Sequence, residues 1–334
     1  MLPQVRAAAL TNYFEVARFV GLDPYEMLRR QGISPQSLTD PEQLIAIAPA
    51  SRLLEESARE SGCISFGLHM AESRSAFSVG AVSLLLQHER SARALMEALV
   101  QYQSMLGEAF AFSLEEADGV AIFHTDIVGG LAGRQAIELM MAVTYKLVTA
   151  FVSGDWRPES AHFVHDAPPD LAVHRRIFDC PLVFASDFNG FVCGASSMDV
   201  PNPAAQPIMA EHARRYLDML APAPDDGRIV TRARRSLQLL LPAGRASLEQ
   251  VGATLGLHAR ALQRLLEKEK QTYASLLNDV RRELALRYLS TSSRSVTSVA
   301  ALTGYSTPSA FARWFSAEFG LSPAAWRAAE QRRN

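Results

Sequence analysis

Cysteine is scarce. Only Cys63, Cys180 and Cys193 occur in 334 residues, and they lie far apart. Three cysteines cannot build a disulfide framework or a four-cysteine zinc site, and they suit a reducing cytoplasm. No stretch approaches the roughly 18–20 uninterrupted apolar residues that a membrane helix needs. Arg6, Glu15 and Arg18 interrupt the first twenty residues, which do not read as a secretory signal. The chain also lacks a Gly-x-Gly-x-x-Gly loop, a Walker phosphate loop and a Gly-x-Ser-x-Gly elbow. His162 and His165 fall on opposite faces of a strand, with no third metal ligand in view. Cys180, just before Pro181, reads as a packed and inert thiol. No catalytic residue, metal or cofactor is therefore expected. Hydrophobic residues at 48% and charged residues at 20% describe a core-forming globular protein, and the length suggests about two domains.

The net charge of −2 conceals an asymmetry. Residues 228–334 hold 17 Lys and Arg against 7 Asp and Glu, a balance of +10. The other 16 basic and 28 acidic residues leave −12 to residues 1–227. A basic segment of this size beside an acidic one points to a polyanion as partner of the basic end. Residues 222–227, Pro-Ala-Pro-Asp-Asp-Gly, stop helices and read as the linker. The expected division is 1–221, a linker at 222–228, and 229–331.

The front segment opens with helical patterns near 10–19, 24–31, 50–61, 79–87 and 92–110. A hairpin follows at 109–114 and 120–125, turning around Ala117-Asp118-Gly119. Helix returns at 134–152. Short strands are expected at 162–165, 182–184 and 190–193, and a closing helix at 209–220. The fold class is α+β, helices with a small, mainly antiparallel sheet. The tail reads as all α, with seven helices near 229–240, 247–255, 259–270, 273–290, 296–303, 308–319 and 323–331.

The tail repeats itself. Gly252 and Gly256 match Ala300 and Gly304: a small residue, three others, then glycine. A helix of about eight residues precedes each glycine, and a second helix follows. Leu262, Leu265 and Leu266 in one copy correspond to Phe311, Trp314 and Phe315 in the other, and Arg264 corresponds to Arg313. The small residue lets two helices approach, and the glycine supplies the left-handed turn between them. Two helix-turn-helix motifs are thus expected, at 247–268 and 296–317, each presenting the polar face of its second helix to DNA.

These residues resemble the DNA-binding domain of the AraC/XylS family of transcription regulators. The likeness runs through Leu262-Gln263-Arg264-Leu265-Leu266, Arg281, Glu283, Ala285 and Leu289. It continues in Val299-Ala300, Gly304-Tyr305-Ser306, Ser309-Ala310-Phe311, Arg313, Phe315, Gly320, Ser322-Pro323 and Arg327. Three positions depart from the family pattern. Thr303 stands where an apolar residue is usual, Tyr305 where phenylalanine is common, and His258 where serine often caps the helix. In the front segment, Gly32-Ile33-Ser34, Phe66-Gly67-Leu68, His165-Asp166-Ala167-Pro168 and Phe188-Asn189-Gly190 are similar to the sensing domain of the ornithine-utilisation-regulator branch. That domain carries an arabinose-binding name. This chain, however, opens with helices where a sugar-binding cupin barrel would open with short strands.

The resemblance implies a cytoplasmic bacterial regulator, nucleoid-associated when bound, that is not an enzyme. Its expected partners are double-stranded promoter DNA, a small-molecule effector, a second copy of the chain and, for an activator, RNA polymerase; no membrane is involved. Base readers are expected at Arg260, Gln263, Arg264 and Lys268, then at Thr307, Ser309, Ala310 and Arg313. Arg232, Arg234, Arg235, Arg281 and Arg282 are expected phosphate clamps. Tyr102, Phe110, Phe112, Met141 and Tyr145 are candidates for the effector cavity, and the soft residues Met105 and Met140 suit one equally. The same side chains also make ordinary core. A stripe of Met209, His212, Ala213, Tyr216 and Leu220 is the candidate dimer surface. Alternatives are a regulator answering to a protein partner and an enzyme fused to a DNA anchor. Alkylation-repair methyltransferases of the latter kind need a fourth cysteine and a Pro-Cys-His-Arg motif, both absent.

Overall fold

The computed structural model describes residues 3–75, 79–128, 133–152, 156–220 and 229–331. The chain divides into two units. The first comprises Met1–His162, Ala167–Val183 and Asn189–Pro222; the second comprises Phe163–Asp166, Phe184–Phe188 and Ala223–Asn334. The expected linker, 222–228, lies outside the described residues.

In the first unit, β1 (Gln4–Arg6) pairs antiparallel with β2 (Leu44–Ala46). Between them come α1 (Tyr13–Phe19) and α2 (Pro24–Arg30). Asn12 adopts a left-handed conformation, φ +69°, so α1 starts at Tyr13 and not at residue 10. Asp23 caps α2 by accepting from the Tyr25 amide, with Pro24 at the first helical position. α3 (Ile47–Ser61), α4 (Phe66–Glu72), α5 (Val82–Leu86), α6 (Ala92–Gln101) and α7 (Gln103–Leu106) follow. The single helix expected over 92–110 is broken. At Gly107 the chain bridges to Val5, and the Phe112 amide donates to Gln103 Oε1, so strand pairing overrides helical propensity.

β3 (Phe110–Ala117) and β4 (Val120–Ile127) form the expected hairpin. Asp118 at φ +53° and Gly119 at φ +80° make a two-residue turn whose twist matches the strands. α8 (Arg134–Phe151), β5 (Ser160–His162), α9 (Ala172–Ile177), β6 (Leu182–Val183), β7 (Gly190–Gly194), α10 (Ala195–Met198) and α11 (Pro207–Leu220) complete the unit. The five-stranded sheet has the order β3-β4-β7-β5-β6 and is antiparallel except for β5 with β6. α8 is apolar around most of its circumference, and 13 of its 18 residues are buried, which makes it the central helix of this unit.

The second unit contains α12 (Ile229–Leu240), α13 (Leu248–Thr254), α14 (Ala259–Lys268), α15 (Tyr273–Thr291), α16 (Val296–Leu302), α17 (Pro308–Phe319) and α18 (Pro323–Gln331). All seven expected helices are present, within two residues at each end. α15 buries Leu276, Val280, Leu284, Ala285, Tyr288 and Leu289 at the centre of one apolar cluster. Two segments from earlier in the chain belong to this unit, which a single cut near 221 does not anticipate. Asp166 Oδ2 accepts from the Ser293 amide at 2.7 Å, and Arg294 bonds Asp187 at 2.7 Å and the Ser186 carbonyl. These contacts hold the segment that leads into α16.

In the first unit, α4 and α8 meet at a glycine. A Cβ on Gly67 would lie 2.2 Å from the Gln135 carbonyl oxygen. The Gly67 amide donates to Gln135 Oε1 at 2.8 Å, and Gln135 Nε2 donates to the Ile64 carbonyl at 2.9 Å. Gly67→Ala must therefore push two helices apart. It is expected to cost about 1–3 kcal/mol, the usual overpacking range, read as a fall in melting temperature. An unchanged melting temperature would show that the two helices are not packed this closely.

Candidate nucleic-acid interface and interior cavity

The two helical hairpins close in the same way. In the first, the Leu257 amide donates to the Gly252 carbonyl at 2.8 Å and the Gly256 amide to the Ala253 carbonyl at 3.0 Å. In the second, the Tyr305 amide donates to the Ala300 carbonyl at 2.9 Å and the Gly304 amide to the Ala301 carbonyl at 2.9 Å. Gly256 sits at φ +69° and Gly304 at φ +73°, a conformation that glycine adopts without strain. A Cβ on Gly252 would lie 2.7 Å from the Leu257 carbonyl oxygen, so that helix pair leaves no room for a larger residue.

α14 turns Leu262 and Leu266 inward and exposes Arg260, Gln263, Arg264 and Lys268. His258, Arg260, Gln263 and Arg264 line one solvent-facing groove. Gln263 Nε2 donates to Glu267 Oε1 at 3.2 Å, which steadies the amide along the exposed face. His258 stands at the N-cap without a side-chain bond. On α17, Ser309 and Arg313 are exposed and Ala310 is half-buried. Thr307 accepts from the Ala310 amide and caps that helix. Pro308 follows at the first helical position. Among the described residues no carboxylate forms an ion pair with Arg260, Arg264, Lys268 or Arg313.

The expected phosphate clamps are placed differently. Arg281 lies over the Tyr305 ring, 4.7 Å from its centroid, and donates to the Thr303 and Gly304 carbonyls at 3.1 and 3.3 Å. It satisfies the end of α16 and braces the second turn. Arg282 pairs with Glu318 at 3.4 Å and covers Phe319, yet remains exposed. Arg234 is held by Asp279 and Glu283, Arg235 is buried, and Arg232 reaches the Leu255 carbonyl at 3.5 Å. Thr303, the polar residue at an apolar family position, is fully buried. It donates to the Val299 carbonyl at 2.7 Å, so its hydroxyl costs little.

The first unit holds a partly open cavity of about 100 Å³. α8 contributes Ala136, Leu139, Met140, Val143 and Leu147 to its wall, and α3 contributes Ile47, Ala50 and Leu54. Phe110, Phe112 and Ile127 reach it from the β3–β4 hairpin. Its polar groups are Ser51, Thr144 and two arginines, Arg6 and Arg74. Of the five residues expected at a cavity, Phe110 and Phe112 line this one. The other three lie elsewhere in the core. Tyr102 donates to Asp218 at 2.9 Å, and Thr125 donates to Met141 Sδ at 3.0 Å. Tyr145 packs among Trp156, Phe178 and Phe191. The sequence reading missed Arg6 and Arg74. Only the all-round apolar pattern of α8 signalled that this helix faces the interior.

His162 and His165 make separate contacts, with Ser160 Oγ and with the Asp166 carbonyl. No group of three or more metal-ligating residues occurs among the described residues. Burial pushes the Cys180 thiol up to about 11 and the Cys193 thiol up to about 12, which keeps both protonated. No described helix is long and apolar enough to cross a membrane.

Two turns of one design, each followed by a helix that exposes an arginine, Arg264 or Arg313, define a tandem helix-turn-helix DNA-binding protein. Comparison with known proteins agrees. The arabinose-binding N-terminal domain of AraC transcription regulators matches residues 21–202, and a helix-turn-helix domain matches residues 251–329. The chain belongs to the AraC family of transcription regulators. It is 28% identical over 331 residues to the HTH-type transcriptional regulator VirS of Mycobacterium tuberculosis, covering 97% of this chain and 96% of that one. It is 24% identical to the ornithine utilization regulator of Pseudomonas aeruginosa, over 98% of this chain and 97% of that one. The crystal structure of the transcriptional regulator CdpR from Pseudomonas aeruginosa matches with a TM-score of 0.42 and 16% identity, over 95% of this chain and 98% of that one.

The geometry separates exposed cations from arginines that brace the fold. Arg264→Ala is expected to cost about 1–3 kcal/mol at the target site and to relax preference at one or two base pairs, with the melting temperature unchanged. Arg282→Ala is expected to weaken all sequences alike. Arg281→Ala is expected to lower the melting temperature, because it removes a helix-end partner. Binding-site selection and thermal melts on the three variants check this. Identical behaviour of Arg264→Ala and Arg281→Ala would refute the division.

Proposed function

We propose that this regulator acts as a homodimer whose first unit holds a small-molecule effector and whose second unit reads promoter DNA through α14 and α17. The observation that carries the DNA reading is the repeated turn with its exposed, unpaired cations. α15, at about 28 Å for 19 residues, is a connector comparable to the roughly 34 Å between successive major grooves. The cavity beside α8 supports the effector reading, because pockets of mostly apolar walls with few polar groups suit small ligands. Effector binding shifts an equilibrium between DNA-competent and incompetent arrangements, by no more than its difference in affinity for the two. At promoters that it activates, RNA polymerase is the third partner. We place the protein in the bacterial cytoplasm, at the nucleoid when bound.

α11 supports the dimer. It packs through Ala210, Ala213 and Leu217 and leaves Ile208, Met209, Tyr216, Met219 and Leu220 exposed. At about 100° per residue these five fall within an arc of roughly 120° beside the buried one. Ile208 is 71% and Met219 77% exposed, and a soluble chain gains by covering such a stripe. The surface differs from the stripe expected from sequence, since Ala213 turns inward and Ile208 and Met219 join it. A second copy converts weak half-site binding into an intramolecular event worth about 10²–10⁴ in avidity.

Three measurements test these readings on the full-length chain. Light scattering at tens of micromolar is expected to give a dimer, and Tyr216→Asp with Met219→Asp is expected to give a monomer. A wild-type monomer would overturn the dimer. DNA affinity is expected to fall steeply with salt, since neutralising phosphates releases counterions, with log K falling by roughly 0.9 per contact per unit of log salt. Salt-independent binding would overturn the interface. Native mass spectrometry is expected to show a small molecule retained by the protein. A bound protein in its place would favour the partner-driven reading, and turnover of a substrate the enzymatic one.

A further inference from the structure

The second helices of the two motifs share a register but not a chemistry. Leu262, Leu265 and Leu266 of α14 pack on the cluster of this unit, as Phe311, Trp314 and Phe315 of α17 do. Matching these anchors pairs the outward positions one to one. Arg264 meets Arg313 and Ala261 meets Ala310, so one arginine and one alanine are common to both faces. Four other pairs differ in one sense. Arg260 gives way to Ser309, Gln263 to Ala312, Glu267 to Ser316 and Lys268 to Ala317. All of these side chains are exposed except Ala261, Ala310 and Ala312, which are half-buried. A face of long polar side chains in the first motif is a face of methyls and hydroxyls in the second.

The helix starts differ as well. Thr307 accepts from the Ala310 amide at 3.2 Å and Pro308 has no amide hydrogen, which closes the first turn of α17. The start of α14 lacks that closure, since His258 makes no side-chain cap there. Gln263 is also oriented. A carboxylate only accepts, so the Gln263 amide turns its NH₂ toward Glu267, at 3.2 Å, and its oxygen away. The oxygen and the second N–H then suit the 6-amino group and N7 of adenine.

The major groove offers a match for each face. Purines present N7 there, with O6 on guanine, and thymine presents its 5-methyl group. Arginine and glutamine bond the purine edges, whereas alanine packs on the methyl. Ala310 and Ala317 lie two turns apart on one strip of α17, with Arg313 beside them. Ala261, the counterpart of Ala310, lines the solvent-facing groove together with Arg260 and Arg264. Short side chains also let a helix come close to the groove floor, which a methyl contact requires because dispersion acts only at contact distance.

We propose that the DNA segment under α14 is recognised through purine N7 edges and the segment under α17 through thymine methyl groups packed on Ala310 and Ala317, with Arg313 adding one purine contact. The proposal rests on the DNA reading above and gives the two segments unlike chemistry. A site of this kind has a direction, because exchanging its segments would set cations and amides against methyls and alanines against purine edges.

Binding-site selection on the full-length chain, repeated with Arg264→Ala, identifies the α14 segment as the one whose preference relaxes. The selected duplex is then remade, one segment at a time, with 7-deazapurines, which lack N7, or with uracil, which lacks only the thymine methyl. Uracil in the α17 segment is expected to weaken binding about four-fold for each contacted methyl, the worth of one buried CH₂ group. Uracil in the α14 segment is expected to leave affinity nearly unchanged. A 7-deazapurine is expected to cost about five-fold or more at several positions under α14 and at one position at most under α17. Ala310→Gly is expected to weaken binding to the thymine duplex and to cost nothing further on the uracil duplex. A merely structural effect would weaken both duplexes alike. Ala317→Gly repeats the comparison and covers the case in which Ala310→Gly does not fold. An α17 segment selected without thymine or not selected at all, uracil tolerated there, equal sensitivity to uracil in both segments, or equal loss on both duplexes for both alanine variants would overturn the division while the DNA reading stands. Selection of no sequence by the wild-type chain would overturn both.

Discussion

The DNA-binding half depends on one constraint, that two helices must reverse direction within a few residues while almost touching. The reversal needs positive φ at Gly256 and Gly304, and the approach needs a small residue four positions earlier. Once both are met, the amide after each glycine finds the carbonyl five residues back, and the second helix is set at a fixed angle to the first. Everything exposed on α14 and α17 inherits its placement from those turns. Arg281 extends the same device, since its guanidinium takes up the carbonyls that the second turn leaves open.

α15 couples the two motifs. Its inner face is almost completely buried, and helices of both hairpins pack on the cluster it anchors. A 19-residue helix held in this way is a spacer of set length, so the separation of α14 and α17 is a property of the fold and not of a flexible linker. The residues 163–166 and 184–188 that join this unit act at the start of the second motif, through Asp166 on the Ser293 amide and Asp187 on Arg294. Chain that arises before the linker region thereby holds the entrance to α16.

In the front unit α8 plays the organising part. It is buried around most of its circumference. It meets α4 at a glycine, carries the fully buried Glu138 opposite His174 at 3.0 Å, and forms one wall of the cavity. Two of its polar side chains are structural. Gln135 ties the backbone of α4, and Lys146 caps the end of that helix. The cavity exists where the apolar face of α8 cannot close against α3 and the hairpin, and its charge comes from the segments flanking α1 and α4.

The sequence by itself determined most of the second unit. Seven helices, two turns and their glycines were legible because each is a local matter of periodicity, capping and positive φ. The hairpin around Asp118-Gly119 was legible for the same reason. The sequence missed β1, β2, α4, α9 and α10 and the break at Tyr102. Short strands exist only through pairing with distant partners, as Gln4–Arg6 with Leu44–Ala46, and a helix pattern gives way where the backbone finds such a partner. Exposure of Arg260, Gln263, Arg264 and Arg313 followed from helical phase alone. Only the tertiary structure decided that Arg281 braces a turn, that Tyr102, Met141 and Tyr145 lie elsewhere in the core while Phe110 and Phe112 face the cavity, and that Arg74 stands on its wall. A long side chain's surroundings are set by residues far away in sequence, and no spacing rule encodes them.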